Sequence, residues 1–151
     1  MKKEAGKLRL GRIILFVFLI PVLLILGLRQ FTHTPKETKL HLGSIEKIGE
    51  GLKMIVTPVT LLPDHKVLFT VRMESYEYPE LLESNLKDTA LLIDETETPF
   101  IPDSWKVVAK DSGSITGELV LPYSEISTKW VLSFDDMEDT SFEWTLPKNG
   151  R

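Results

Sequence analysis

The chain of 151 residues contains no cysteine. That excludes disulfides, a thiol nucleophile, and any zinc or iron–sulfur site built on thiolates. An exported domain of this composition must hold itself by packing alone, which suits a bacterial or archaeal surface domain better than a small disulfide-stapled scaffold. Histidine is scarce: His33, His41 and His65 are the only three. None lies in a recognisable catalytic setting, and Gly-x-Ser-x-Gly is missing. No Gly-rich phosphate loop, zinc-ligand spacing, heptad, internal repeat, low-complexity tract or Asn-x-Ser/Thr sequon occurs. Basic residues run short beyond Arg29, where 12 Lys and Arg stand against 21 Asp and Glu, a net of −9. Such a domain does not grip a phosphate backbone, so nucleic acid is not an expected partner. An anionic lipid surface would also repel it, which favours standing off the membrane.

Long apolar runs are missing too, with one exception. Ile13 to Leu28 reads IILFVFLIPVLLILGL, sixteen residues without a charged or hydrogen-bonding side chain. As a helix it would span about 24 Å, a little less than a hydrocarbon core of about 30 Å. Arg12 and Arg29 bracket it and can snorkel to the headgroups. Pro21 interrupts one backbone hydrogen bond, which a membrane helix tolerates at a cost. Lys2, Lys3, Lys7, Arg9 and Arg12 precede the run, so the N-terminus is expected in the cytoplasm and the residues after about 29 outside it. A cleaved signal peptide shares this layout, but Ile25–Phe31 offers no Ala-x-Ala-like site. A lipoprotein anchor would need a cysteine where Leu28 stands. The expected organisation is therefore a basic leader (1–12) and a transmembrane signal anchor (13–28) contacting the bilayer through residues such as Ile13, Phe16, Pro21 and Leu28. A polar linker (29–39) and one extracytoplasmic domain (40–148) follow. A cleaved signal and a buried soluble helix are the alternatives for the run.

Beyond Leu40 the apolar residues recur with period two. Val67, Phe69, Val71 and Met73 form one face, as do Ile115, Gly117, Leu119 and Leu121; Trp130, Leu132 and Phe134; and Phe142, Trp144 and Leu146. Less regular strands are expected at 40–48, 52–60, 89–94 and 105–109, with Pro58 weakening or ending the second. Turn residues separate the runs at 49–51, 63–65, 111–113 and 135–139. No amphipathic helices alternate with the strands, so a parallel sheet is not expected. Residues 76–88 differ: Leu81, Leu82 and Leu86 follow Pro79 at helical spacing, which predicts a short helix crossing between two sheets. The fold class is all-β, an antiparallel β-sandwich of about 7–8 strands. Trp105, Trp130 and Trp144 are expected in its core, with Phe100 and Trp105 packed inward at a corner.

Chemistry-bearing clusters are few. Asp135, Asp136, Glu138 and Asp139 form the densest set of oxygen ligands and would suit calcium, although EF-hand spacing is missing. Asp94-Glu95-Thr96-Glu97 is a second acidic turn that could complete a cation site if it lay opposite the first. Both also read as ordinary solvated turns. Asp111-Ser112-Gly113-Ser114 offers hydroxyls beside a glycine, but a hydrolase needs a base and an orienting third group. Tyr76, Tyr78, Trp105 and Tyr123 lie in or near connections and could form a protein or carbohydrate contact surface.

Residues 91–146 carry a recurring order. Leu91-Leu-Ile-Asp-Glu95 leads to Pro99–Trp105, then to Gly117-Glu-Leu-Val-Leu121, Trp130-Val-Leu-Ser-Phe134 and Phe142-Glu-Trp-Thr-Leu146. This resembles the back half of small immunoglobulin-like sandwich domains of unknown function in bacterial membrane-anchored proteins, which often follow a single N-terminal membrane segment. The acidic turn of that pattern usually carries a glycine, where this chain has Thr96 and Thr98. The resemblance implies an immunoglobulin-like fold and no site residues. The expected role is a non-enzymatic binding or accessory module for a protein, peptide or surface polymer, with no resident cofactor. A calcium-stabilised or calcium-sensing domain and a cell-envelope enzyme are the alternatives.

Overall fold

Alternation of apolar and polar side chains translates directly into strands with one buried face. The computed structural model describes residues 37–49, 51–135 and 141–147. The chain divides between Lys36 and Glu37, and every described residue belongs to the second part. The membrane-anchor expectation for 13–28, with Ile13, Phe16, Pro21 and Leu28, lies outside the described residues. Among the described residues, no helix is long and apolar enough to cross a membrane.

Ten strands are described: β1 (Thr38–Lys39), β2 (Ile45–Gly49), β3 (Leu52–Leu62), β4 (Lys66–Glu74), β5 (Ala90–Asp94), β6 (Pro99–Phe100), β7 (Ser104–Lys110), β8 (Ser114–Pro122), β9 (Lys129–Phe134) and β10 (Ser141–Thr145). They form two sheets with antiparallel pairing throughout. One has the order β1-β3-β4-β8-β7, with β2 also on β3; the other has the order β10-β9-β5-β6. Their inner faces supply one core, an all-β two-sheet architecture. Phe69 on β4 bridges the layers, with its ring centroid 6.0 Å from that of Trp130 on β9 and 5.5 Å from that of Trp144 on β10. Trp130 and Trp144 are buried as expected, whereas Trp105, on the edge strand β7, is only half-buried and covers Gly117.

Pro58 does not end its strand. β3 continues to Leu62, and its register with β4 shifts between Pro58 and Thr60, so the residue that cannot donate sits beside a bulge. On the other edge of β3, the partner strand is itself broken between Lys39 and Ile45. The single strand expected at 40–48 is thus two short pieces, and the first begins at Thr38, inside the stretch expected to be linker. Between the pieces, the Gly43 carbonyl accepts a 2.9 Å hydrogen bond from the Trp144 indole, tying the edge of one sheet to the other.

The connection from β4 to β5 crosses between the sheets, as the spacing of Leu81, Leu82 and Leu86 predicts. It forms two turns rather than one helix: a 3₁₀ turn at Pro79–Glu83, then α1 (Leu86–Thr89), which Asn85 caps by accepting from the Lys87 amide. Leu82 and Leu86 are buried beneath it.

Register also defines two ends of the sandwich. One holds the β3–β4 turn, Pro122, and the start of β9 beside Asp94. The described chain begins at this end, with Thr38 opposite Leu61. The other end holds Gly51, the segment after Glu74, α1, Gly113 and Asp135.

Candidate contact surface

At the second end, β4 lies between β3 and β8, and the residue after β4 organises its neighbours. Ser75 is buried. Its amide donates to the Gly113 carbonyl (3.0 Å), its hydroxyl donates to the Gly51 carbonyl (2.9 Å), and its Oγ accepts from the Tyr78 amide (3.3 Å). The segment that follows is thereby pinned across the starts of both flanking strands.

Two tyrosine rings use that anchorage. Tyr78 lies on Gly51 and Tyr76 on Gly113, and a Cβ at either glycine would run into the ring. Gly51 also has φ +80°, a conformation that costs an L-residue strain. Although seated, the rings remain open to solvent: Tyr76 is 83% exposed and Tyr78 47%. The seats are two strand spacings apart, about 10 Å. Around them, residues 74–88 carry Glu74, Glu77, Glu80, Glu83 and Asp88 against the single base Lys87. Cations nearby are engaged: Arg72 meets Glu74 at 2.8 Å, Lys53 lies 3.3 Å from Glu46 and 3.7 Å from Glu74, and Lys110 approaches Glu83 at 3.9 Å.

Of the four aromatics predicted for a contact surface, Tyr76 and Tyr78 come together at this end. Trp105 does not join them, and Tyr123 sits at the opposite end, half-buried with its ring 5.4 Å from Trp130. Sequence reasoning missed Ser75, Gly51 and Gly113, which fix the surface. A turn glycine in each of two hairpins was visible in the sequence, but not that a tyrosine rests on each.

The polar clusters are occupied by internal bonds. Asp94 is buried, and its Oδ1 accepts from the Thr96 amide (2.9 Å), the Thr96 hydroxyl (2.6 Å) and the Thr98 amide (3.3 Å). Its Oδ2 accepts from the Ser127 hydroxyl at 3.1 Å. Burial alone would push this carboxyl up; the bonds from Thr96, Thr98 and Ser127 outweigh it and leave the pKa below its ordinary value. Glu95 is held below its usual range by its own backbone amide and by the amides of Thr128 and Lys129, the first of these two at 2.8 Å. Glu97 takes the left-handed conformation, φ 59°, which is uncommon for a residue with a side chain.

Of the acidic turn at 135–139 only Asp135 is described, and it lies far from Asp94. Asp94 pairs with Trp130 and Ala90 with Phe134, so Asp135, one residue past Phe134, lies about 16 Å along the strand from Asp94, at the opposite end. No shared cation site joins Asp94 and Asp135. Asp135 is exposed, and its amide donates to the Thr89 carbonyl at 2.9 Å. Asp136, Glu138 and Asp139 lie outside the described residues. Among the described residues, no three His, Asp or Glu converge on a point that could hold a metal.

Asp111 closes the β7–β8 turn. Its Oδ1 accepts from the Gly113 and Ser114 amides at 3.0 and 2.8 Å, and its Oδ2 accepts from the Ser114 hydroxyl at 2.9 Å. The Gly113 amide, the Ser114 hydroxyl and amide and the charge of Arg72 hold its pKa down. His65 pairs with Glu125 at 2.9 Å beyond the far end of the β4–β8 ladder, so it supplies no base to Ser114. Comparison with protein-family models, with curated proteins and with solved structures gives no match to this chain.

Proposed function

We propose that the chain is a single-pass membrane-anchored module whose immunoglobulin-like sandwich stands outside the cytoplasm and binds a partner without transforming it. Strand order supports the immunoglobulin-like reading. The run β3-β4-β8-β7 follows the A-B-E-D order of that fold, and β10-β9-β5 follows G-F-C, with β6 beside C. Where many such domains join B to F by a disulfide, this cysteine-free chain places the Phe69–Trp130 contact between the equivalent strands. The sixteen-residue apolar run behind five basic residues supports the anchor and its orientation.

The binding role rests on one observation: Tyr76 and Tyr78 are held in fixed seats yet left exposed. A seated tyrosine offers a large contact area with little conformational entropy left to lose. Crosslinking in native membranes, followed by identification of what co-purifies, tests the role. Capture that disappears when both tyrosines are replaced by alanine is the expected result, and capture indifferent to them contradicts it. The retained anchor has a separate test. The intact mass of the native protein is expected to include residues 1–28, and a mature start near Leu28 would refute it.

A further inference from the structure

We infer that the Tyr76–Tyr78 surface takes a cationic polypeptide segment, rich in Lys or Arg, laid across the two rings. The inference rests on the binding role proposed above and names the chemistry of the partner. The rings are the primary observation. Each stands on a glycine at the start of a strand flanking β4, and Ser75 fixes both seats through its bonds to Gly51 and Gly113. The faces of such rings carry negative potential and attract ammonium or guanidinium groups. The charge around them selects the sign of the occupant. Glu77, Glu80 and Glu83 are exposed, and the 74–88 segment carries five acids to one base.

An anionic polymer meets that field as repulsion, and a neutral sugar gains nothing from it. Spacing also suits a polypeptide. Seats about 10 Å apart match side chains three residues apart on an extended polyproline-II segment, which turns once in three residues and rises about 3.1 Å per residue. One extended segment can therefore place a cation over each ring, while its remaining basic groups meet the carboxylates.

The test uses the full-length protein in a non-ionic detergent and a fluorescent octapeptide of alternating Lys and Arg, with binding read by anisotropy. A length-matched neutral peptide and a neutral oligosaccharide serve as comparison probes. The basic peptide is expected to bind more tightly than either and to weaken as salt rises. Tyr76→Ala combined with Tyr78→Ala should weaken it roughly five- to thirtyfold. Tyr76→Phe combined with Tyr78→Phe, which keeps both ring faces, should stay within about threefold.

No binding of the basic peptide overturns the inference, as does binding unchanged by the alanine pair or a tighter complex with the oligosaccharide. If the alanine variant does not fold, Glu77→Gln with Glu80→Gln decides: a severalfold loss supports the inference and no loss overturns it. Peptide binding in detergent does not depend on where the domain resides. Failure here leaves the proposed topology standing, and failure of the topology leaves peptide binding standing.

Discussion

The two ends of the sandwich use polar and aromatic residues in opposite ways. At the end where the described chain begins, polar side chains turn inward. Asp94 accepts four hydrogen bonds, and Glu95 fastens the turn after β5 to Thr128 and to Lys129, the first residue of β9. Tyr123 there is half-buried against Trp130. At the other end, a buried serine fixes the backbone and two tyrosines stay outside. The Asp94 end is chemically rich in the sequence yet serves cohesion. The Ser75 end reads as a mere connection yet carries the exposed surface. The acids of the 94–97 turn are therefore a poor guide to a binding site, because a carboxylate facing backbone amides is already satisfied.

The largest expected effect breaks the cohesive end. Asp94→Ala removes the acceptor of the part-buried Thr96 and Thr98 amides and of the buried Ser127 hydroxyl, and should cost about 2–4 kcal/mol in chemical denaturation. Replacing Tyr76 and Tyr78 by alanine should change the same measurement by about 0.5 kcal/mol or less, since exposed rings add little to folding. Comparable losses at both ends would erase the contrast.

Next comes the seat itself. Gly51→Ala introduces both a left-handed strain and a collision with Tyr78, and should cost about 1–3 kcal/mol. Thermal unfolding read against Gly43→Ala, where a Cβ meets nothing, isolates the effect of the seat.

Acid sharpens the comparison further. Asp94, Glu95 and Asp111 all have pKa values below the ordinary range in the folded chain. Each therefore contributes stability that is present above its unfolded pKa and lost as pH falls through its lower folded pKa. The midpoint of unfolding should hold down to about pH 4 and then decline. Asp94→Asn should flatten that decline, whereas a decline of unchanged slope would show that Asp94 is not the group responsible.

The smallest effect is a gain. Glu97 holds φ 59° without being glycine, so Glu97→Gly should stabilise by about 0.5–1 kcal/mol in the same denaturation series.

Much of this architecture is legible in the chain. The alternation at 67–73, 115–121, 130–134 and 142–146 gives four strands within a residue or two of their ends, because period two leaves one face to bury. Leu82 and Leu86 after Pro79 mark the crossover because helical spacing puts both beneath it. What stayed hidden is tertiary. β6 is two residues long and carries no period. The broken edge at 40–44 lies opposite Thr57–Val59 on the neighbouring strand, around Pro58, a cross-strand relation that no local pattern records. Glu97 conceals its turn because the residue that usually announces a left-handed position is missing. The tyrosine surface was half visible: the rings could be named, but their seats come from separate hairpins that only the fold brings together.

The most direct measurement uses the missing cysteine. Ser112→Cys gives a chain with a single thiol, at an exposed position beside the Tyr76 seat. It can be challenged in intact cells with a membrane-impermeant maleimide. Labelling before lysis is the result expected of a domain held outside the cytoplasm. Labelling only after the membrane is opened would contradict it.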